Sequence, residues 1–199
     1  MTQISEVCKT LIMKRQNGFT LIELLITIVV LTLLMALGVP AFKEFIKNNR
    51  LTGQTNDLVI ALQLTRSEAI KRHSAATICA STDQASCDVG DNDWTTGWIV
   101  FSDLDQDGVA DTGTNACLDT EDCIMRTGTG PSSNNTLIAD TNQIMYLPTG
   151  LVRESDLPLV GTVRRAVFTL TADDCERNQV RNITVNQHGH TTIAKLPCP

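Results

Sequence analysis

Four aspartates have the chemistry and the spacing to bind a metal ion. Asp103, Asp105 and Asp107 alternate along the chain before a glycine, and Asp111 follows. This order copies the opening of a helix-loop-helix calcium site, in which carboxylate oxygens surround the ion. The pattern fails at the final ligand position of such a loop, where Thr114 stands in place of a glutamate. A solvated acidic turn is the default interpretation, and a structural Ca²⁺ site on the four aspartates is the alternative.

Seven cysteines fall into two groups. Cys8 precedes a long apolar run, and the other six follow it. The even number indicates disulfide bonds in an oxidising compartment, with a reducing one at the N-terminus. Metal ligation has less support, because no Cys-x-x-Cys pair occurs. Sequence order suggests three bonds, although six cysteines allow fifteen pairings. The three are Cys79–Cys87, Cys117–Cys123 and Cys175–Cys198.

The histidines do not form a catalytic set. Only His73, His188 and His190 are present. His188 and His190 alternate along the chain, but a metal site would need further ligands. The sequence also has no phosphate-binding loop, nucleophile elbow or His-Glu-x-x-His motif. The sequence therefore predicts that the protein is not an enzyme and, apart from the Ca²⁺ alternative, that it has no cofactor.

One carboxylate, Glu23, lies inside an otherwise uncharged apolar segment, Phe19 to Val39. A carboxylate deep in a membrane helix costs about 2.5–3.5 kcal/mol on insertion scales. The segment contains no basic residue to pair with it. A cut between Gly18 and Phe19 would create an α-amine four residues before Glu23. That amine could pair with the carboxylate in the same chain or in a neighbouring one.

The apolar segment is long enough to cross a membrane, because its residues span about 30 Å at ~1.5 Å per residue. Three basic residues precede it, which places the N-terminus in the cytoplasm. A plain signal anchor and a secretory signal peptide are the alternatives. Ala36, Gly38 and Pro40 imitate a small-residue cleavage site, but the segment is long for a secretory peptide.

Residues 41–72 continue the helix as an amphipathic segment. Pro40 has no amide hydrogen, so a kink or local melting is expected near residues 38–40. Apolar or neutral residues recur at a spacing of three or four, which predicts one face packed on a sheet. The predicted buried positions are Leu51, Thr55, Leu58, Leu62, Thr65 and Ala69.

After His73 the period changes to that of β-strands. Gly, Asn, Asp and Pro separate six short β-like runs, whereas residues 102–142 are polar and are predicted to form an elaborated loop. The fold class is therefore α+β, with a long N-terminal transmembrane helix packed on an antiparallel β-sheet. The six runs are 76–80, 98–101, 143–147, 165–170, 182–185 and 191–194.

The stretch Gly18-Phe19-Thr20-Leu21-Ile22-Glu23 resembles the prepilin cleavage signature of type IV pilins and type II secretion pseudopilins. The resemblance implies that prepilin peptidase cuts after Gly18 and that Phe19 becomes an N-methylated N-terminus. It also implies that Glu23 meets the Phe19 amine of an adjacent subunit during assembly. Pro40 stands where such pilins carry a helix-perturbing proline.

The same resemblance divides the chain into four parts. Residues 1–18 would be the cleaved leader, and residues 19–40 the transmembrane helix that also forms the filament core. Residues 41–72 would be the amphipathic continuation of that helix. Residues 73–199 would be a β-rich periplasmic part, in a protein held first in the inner membrane and then in a pilus or pseudopilus.

The later part of the chain resembles the GspH/FimT group of minor pilins and pseudopilins. The resemblance rests on the helix end at 66–72, the strand Gly97-Trp98-Ile99-Val100-Phe101 and the late Gly189. It supports the bond Cys175–Cys198, which would bracket a terminal hairpin. It implies a minor type IV pilin that docks with other major and minor pilins. A minor pseudopilin of type II secretion and a DNA-binding pilin for natural transformation are the alternatives.

Relatives that resemble FimT bind DNA through a Gly-Arg-x-Arg motif in the terminal hairpin. The matching stretch here is Gly189-His190-Thr191-Thr192, so both arginines are replaced. Arg177, Arg181 and Lys195 lie nearby in sequence and, with His190, form the candidate patch. The chain has a formal net charge of −6. DNA binding is therefore expected to be weak and sensitive to salt.

Overall fold

The computed structural model of the chain describes residues 18–88, 90, 92–111 and 122–199. The chain forms two compact units, Met1–Glu44 and Phe45–Pro199. We call the second one the globular unit. Cys8 and all of the predicted leader except Gly18 lie outside the described residues.

The first element is a helix, α1 (Leu21–Arg72). It ends where His73 takes a left-handed conformation with φ of 53°, which is a common way to stop a helix. Lys71 and Arg72 form ion pairs with Glu68 in the last turn, where basic side chains oppose the negative end of the helix dipole. Pro40 lies inside α1. The helix continues on both sides of Pro40, so the expected local melting is absent.

One face of α1 is buried in the globular unit. All six positions predicted from the spacing are buried, which confirms the stripe. Ala61 is buried as well. Thr55 and Thr65 donate hydrogen bonds from their hydroxyls to the carbonyl oxygens of Leu51 and Ala61, at 2.7 and 2.8 Å. These bonds allow the two threonines to lie in an apolar interface without an unsatisfied hydroxyl.

Strands follow α1 in the described part of the chain. All their pairings are antiparallel. A short 3₁₀ helix, Glu154–Asp156, separates the fifth strand from the sixth. The strands are β1 (Ala75–Ala80), β2 (Gly97–Asp103), β3 (Cys123–Thr129), β4 (Thr136–Ala139), β5 (Gln143–Tyr146), β6 (Leu159–Val160), β7 (Val163–Thr171), β8 (Val180–Asn186) and β9 (Thr191–Leu196).

The strands form two sheets. One has the order β3-β2-β1-β5, and the other has the order β4-β7-β8-β9, with β6 paired to β7. The core contains side chains from both sheets and from α1. Within it, the rings of Trp94 and Phe168 meet edge to face with centroids 4.9 Å apart. The indole nitrogen of Trp94 donates to the carbonyl oxygen of Thr141 at 2.9 Å, so this large side chain is buried with its polar atom satisfied.

Polar side chains of α1 also bond to loops of the globular unit. The Lys47 amine donates to the carbonyl oxygen of Asp174 at 2.7 Å. The Asn135 amide donates to the side-chain oxygen of Gln54 at 2.7 Å, and the Arg66 guanidinium donates to the carbonyl oxygen of Gly150 at 3.0 Å. These bonds attach the helix to the sheets at successive points along its length.

The prediction of one elaborated loop over residues 102–142 is wrong. This range contains the end of β2 and all of β3 and β4. Beyond Cys123, the side chains of β3 are half-buried or exposed, so the strand lacks the apolar alternation that identifies strands in a sequence. β4 does alternate between exposed and buried residues, but it is only four residues long.

Gly189 is required by close packing at the turn between β8 and β9. Its φ is +72°, a conformation that favours glycine. A Cβ atom there would lie 3.0 Å from the carbonyl oxygen of Gly150 and 3.0 Å from the ring of Tyr146. A larger residue would push this turn away from the globular unit.

Candidate functional site

The N-terminal part of α1 exposes a continuous apolar surface. Every residue of the apolar segment is exposed, and Phe19 is 81% exposed. Among the described residues, α1 is the helix that is long and apolar enough to cross a membrane. Exposed apolar surface of this extent marks a membrane or protein contact. This segment is the first candidate site.

The start of α1 holds the candidate assembly residue Glu23. The Thr20 hydroxyl accepts a hydrogen bond from the Glu23 amide at 3.2 Å, and the Thr20 carbonyl accepts one from Leu24 at 3.1 Å. Thr20 is therefore the N-cap, and Glu23 occupies the position where a capping box places its carboxylate. A negative charge is favourable there, because it faces the positive end of the helix dipole. Glu23 itself is exposed, so its carboxylate is accessible to a partner.

Two of the disulfide bonds suggested by sequence order are present. Cys79 and Cys87 are joined across eight residues, which ties the loop after β1 to that strand. Cys175 and Cys198 are joined across 23 residues, which fastens the end of the chain beyond β9 to the loop before β8. Cys123 is also disulfide-bonded. Its expected partner, Cys117, lies outside the described residues.

The aspartate turn has a different set of converging carboxylates from the predicted one. Asp103 and Asp105 each place an oxygen within 4.8 Å of an oxygen of the third member, Asp122. The Asp107 carboxylate instead accepts a hydrogen bond from the Val109 amide at 2.7 Å, which uses it to shape the turn. Asp107 and Asp111, which the sequence predicted as further ligands, are not members of the converging group.

Asp122 was missed because β3 was missed. Asp122 lies just before Cys123 in a range that was predicted to be a loop, and no local sequence motif marked it as a metal ligand. Burial raises the pKa of the Asp122 carboxyl, and so does the charge of Asp105 nearby. Burial also raises the pKa of Asp103, with further increases from the charges of Asp122 and Asp107. The site therefore concentrates negative charge that a cation would offset.

The four residues of the predicted DNA patch differ in exposure and position. Arg181 is 2% exposed, and its guanidinium donates to the side-chain oxygen of Asn48 on α1 at 3.0 Å. His190 lies in the turn between β8 and β9, whereas Lys195 lies near the far end of β9, about 17 Å away along a strand. Arg177 is beside the last disulfide, where its carbonyl accepts from the Cys198 amide at 2.7 Å. Arg181 is therefore a structural residue, whereas Arg177, His190 and Lys195 are exposed.

Comparison with known proteins agrees with this architecture. A family model described as Type II transport protein GspH matches residues 54–189, and the prokaryotic N-terminal methylation motif matches residues 13–39. The helix and the two sheets define a pilin-like fold, and the N-terminal motif marks a membrane-anchored protein of this class. The chain belongs to the GspH family of minor pilins and pseudopilins.

Solved structures are similar to this chain, and the first of them shares its fold. The type IV minor pilin FimU of Pseudomonas aeruginosa has 19% identity and a TM-score of 0.51, covering 75% of this chain and 92% of that one. A second crystal form of FimU has 18% identity and a TM-score of 0.47, with coverage of 72% and 91%. The minor pseudopilin EpsH of Vibrio cholerae has 14% identity and a TM-score of 0.37, with coverage of 71% and 92%. The sequence matches none of the curated proteins compared with it.

Proposed function

We propose that the protein is a minor type IV pilin that docks with other pilins through its apolar segment in a priming or tip complex. The observation that carries this proposal is the exposure of the whole apolar segment of α1. In the inner membrane, lipid would cover this surface. In a filament, the corresponding helices of neighbouring subunits would cover it instead, since helices pack closely once lipid is displaced.

Glu23 gives this docking its register. After cleavage by prepilin peptidase, the new amine of Phe19 is a positive charge at the very start of the apolar segment. A carboxylate in an apolar surrounding gains most from a charged partner at a fixed position. Pairing Glu23 with the Phe19 amine of an adjacent subunit therefore favours one axial position over others.

A minor pseudopilin of type II secretion would use the same apolar segment and the same carboxylate. The two functions differ in the apparatus that the subunit joins and not in the docking chemistry. The DNA-receptor function has less support, because Arg181 is buried and His190 lies at the opposite end of β9 from Lys195. Both the pilin and the pseudopilin function depend on docking through the helix. Of the two assemblies, we propose the pilus.

The test of docking uses two variants in the native host. Glu23→Gln removes the charge and should leave the protein in the membrane fraction while depleting it from sheared filaments. Thr20→Ala removes the N-cap but keeps the carboxylate, so it should assemble like the unaltered protein. If Thr20→Ala fails to assemble as severely as Glu23→Gln, then Glu23 acts through helix capping and the proposed ion pair is wrong.

The test of the apparatus is deletion of the gene, with two readouts. Loss of surface pili with normal protein secretion would support the pilus. Retained pili with accumulation of secretion substrates in the periplasm would assign the protein to type II secretion and refute our choice. Complementation with the unaltered gene controls for effects on neighbouring genes.

A further inference from the structure

Two aspartates face each other where β2 ends and β3 begins. The antiparallel register pairs Ser102 with Cys123, so the next residues along, Asp103 and Asp122, are cross-strand neighbours. The Cys123 amide donates to the Ser102 hydroxyl at 3.0 Å, which holds this end of the pair together. Like charges in directly opposed positions destabilise a sheet. The fold therefore needs something to offset their repulsion.

Both aspartates are buried, and each is only half satisfied. Asp103 is 0% exposed, and one of its oxygens accepts from the Thr77 hydroxyl at 2.8 Å and from the Gly108 amide at 3.2 Å. Asp122 is 7% exposed, and one of its oxygens accepts from the Leu104 amide at 2.9 Å. The second oxygen of each carboxylate is buried and has no hydrogen-bond partner among the described residues. A buried carboxylate oxygen without a partner is costly.

A third carboxylate completes the group from the exposed side. One oxygen each from Asp103, Asp105 and Asp122 lies within 4.8 Å of the other two. Ligand oxygens bound to one Ca²⁺ at about 2.4 Å are at most about 4.8 Å apart. The three carboxylates therefore already have a spacing that one such ion can span.

We propose that Asp103, Asp105 and Asp122 bind a Ca²⁺ ion that ties together the two ends of the connection between β2 and β3. The ion would supply the missing partner of both buried oxygens and offset the repulsion between the two strands. This inference does not depend on the proposed docking function, because the site belongs to the globular unit and uses no residue of the apolar segment.

Calcium suits the site better than magnesium does. Ca²⁺ accepts flexible, carboxylate-rich coordination at 2.3–2.6 Å, whereas Mg²⁺ requires shorter bonds in a near-octahedral arrangement. The loop that carries Asp105 also bends sharply: Gly108 has φ of +82° and packs against the Gln143 side chain. This bend returns the chain to Asp103, which accepts from the Gly108 amide. The loop thus brings the carboxylates together without imposing the octahedral geometry that Mg²⁺ requires.

A basic side chain could have served in place of a metal ion. None of the ion pairs in the part of the chain that the structure covers involves Asp103 or Asp122. The nearby Arg153 is paired with Asp156 at 2.9 Å. The other charged groups that act on Asp103 and Asp122 within the described residues are aspartates. A divalent cation would supply the positive charge that these carboxylates do not receive from the ion pairs of the described residues.

The experiment uses the full chain in detergent, freed of metal with EGTA and titrated with CaCl₂. We expect one bound Ca²⁺ by calorimetry, with a dissociation constant in the range of about 10⁻⁴–10⁻³ M that extracellular modules show, and a rise in Tm at millimolar Ca²⁺. No heat of binding together with no rise in Tm would overturn the proposal. An equal rise with MgCl₂ would overturn the assignment to Ca²⁺.

Three single variants test the ligand set. Asp105 is exposed, so Asp105→Asn should keep the fold. Asp122→Asn keeps a side-chain oxygen that can accept the hydrogen bond from the Leu104 amide. Each should weaken Ca²⁺ binding about tenfold or more. The matched control is Asp107→Asn, which removes a charge from the same loop and should weaken binding much less. Equal losses for Asp107→Asn and Asp122→Asn would contradict the assigned ligands.

Melting temperatures measured with and without Ca²⁺ show whether Asp122 is a metal ligand or a purely structural residue. In EGTA, Asp122→Asn should melt at or above the temperature of the unaltered protein, because it removes a buried repulsion. In millimolar Ca²⁺, the order should reverse, because only the unaltered protein gains from the ion. A variant that melts lower by the same amount in both conditions would show that Asp122 merely supports the fold, and would overturn the proposal.

Discussion

The guanidinium of Arg181 lies 3.0 Å from the side-chain oxygen of Asn48, across a sequence separation of 133 residues. Arg181 belongs to β8 and Asn48 to α1, so this hydrogen bond joins the second sheet to the helix. Arg181 also donates to the carbonyl oxygens of Asn178 and Val180, at 2.8 and 3.1 Å. Its charge is thus buried among neutral acceptors, and burial lowers the pKa of the guanidinium.

Arg181→Ala should lower the free energy of unfolding of the globular unit by about 2 kcal/mol, because charge-assisted hydrogen bonds and a packed side-chain stem are lost. Urea denaturation followed by circular dichroism measures the change. Lys195→Ala is the matched control, because Lys195 is exposed on the neighbouring strand and should shift stability by no more than about 0.5 kcal/mol. Similar effects of the two variants would contradict a structural role for Arg181.

DNA binding should be weak as a consequence of the same burial. At ~150 mM salt, we expect a dissociation constant for duplex DNA of about 10⁻⁴ M or weaker. A gel-shift series with the globular unit measures this value. Removing two of the three exposed candidates, in the double variant Arg177→Ala and Lys195→Ala, should change the affinity little. Low-micromolar binding that this double variant abolishes would instead make DNA uptake the leading function.

Processing of the leader should produce a chain that begins at methylated Phe19. The signature around Gly18 and the N-terminal methylation motif over residues 13–39 lead to this expectation. Intact-mass spectrometry of the membrane fraction measures it, and a strain without prepilin peptidase provides the uncleaved control. An intact leader in cells with an active peptidase would refute the predicted processing.

The globular unit should contain no reactive thiol when it is made in an oxidising compartment. Thiol labelling of the unfolded, unreduced protein checks this, and two or more labelled cysteines would refute three disulfide bonds. The double variant Cys175→Ser and Cys198→Ser opens a loop of 23 residues. It should lower the free energy of unfolding by about 3 kcal/mol, because the unfolded chain gains entropy.

Asp83 should keep its charge to unusually low pH. Its carboxylate accepts from the Ala85 amide, the Ser86 amide and the Ser86 hydroxyl, each at 2.8 Å. The two backbone bonds, followed by that of the Ser86 hydroxyl, hold the pKa of Asp83 well below its usual value of 3.8. A lowered folded-state pKa means that the stabilising contribution is present above the unfolded-state pKa and is lost as the pH falls toward the folded-state value.

An NMR titration of the Ala85 and Ser86 amides measures this pKa. Their shifts should follow Asp83 with a midpoint below 3.8. Asp83→Asn is the control and should remove the titration. A midpoint at or above the usual value would show that the turn does not favour the charged form.

The sequence predicted the parts of the fold that have strong periodicity. The spacing of Leu51, Leu58 and Leu62 identified the buried face of α1, because a helix repeats its faces every three or four residues. The six predicted β-like runs correspond to β1, β2, β5, β7, β8 and β9. In each of them, apolar or β-branched residues gather between turn-forming residues.

The aspartate cluster could be predicted only in part. Asp103 and Asp105 stand in a local pattern that sequence reasoning recognises, whereas Asp122 reaches them through the pairing of β2 with β3. That pairing has a register shift between Val100 and Phe101, and β3 has little apolar alternation. The convergence is therefore a long-range property of the fold, and no local motif encodes it.

The bonds from Lys47, Gln54 and Arg66 of α1 to the loops of the globular unit have a mechanical consequence. These three hydrogen bonds connect the loops to separate points along the helix. A pulling force applied along the helix axis loads such cross-links in shear, so they share the load and have to rupture together. If α1 carries the tension of a filament, the globular unit should resist extraction far more strongly along this axis than when β9 is peeled from its edge. The disulfide at Cys198 covalently anchors that weaker edge.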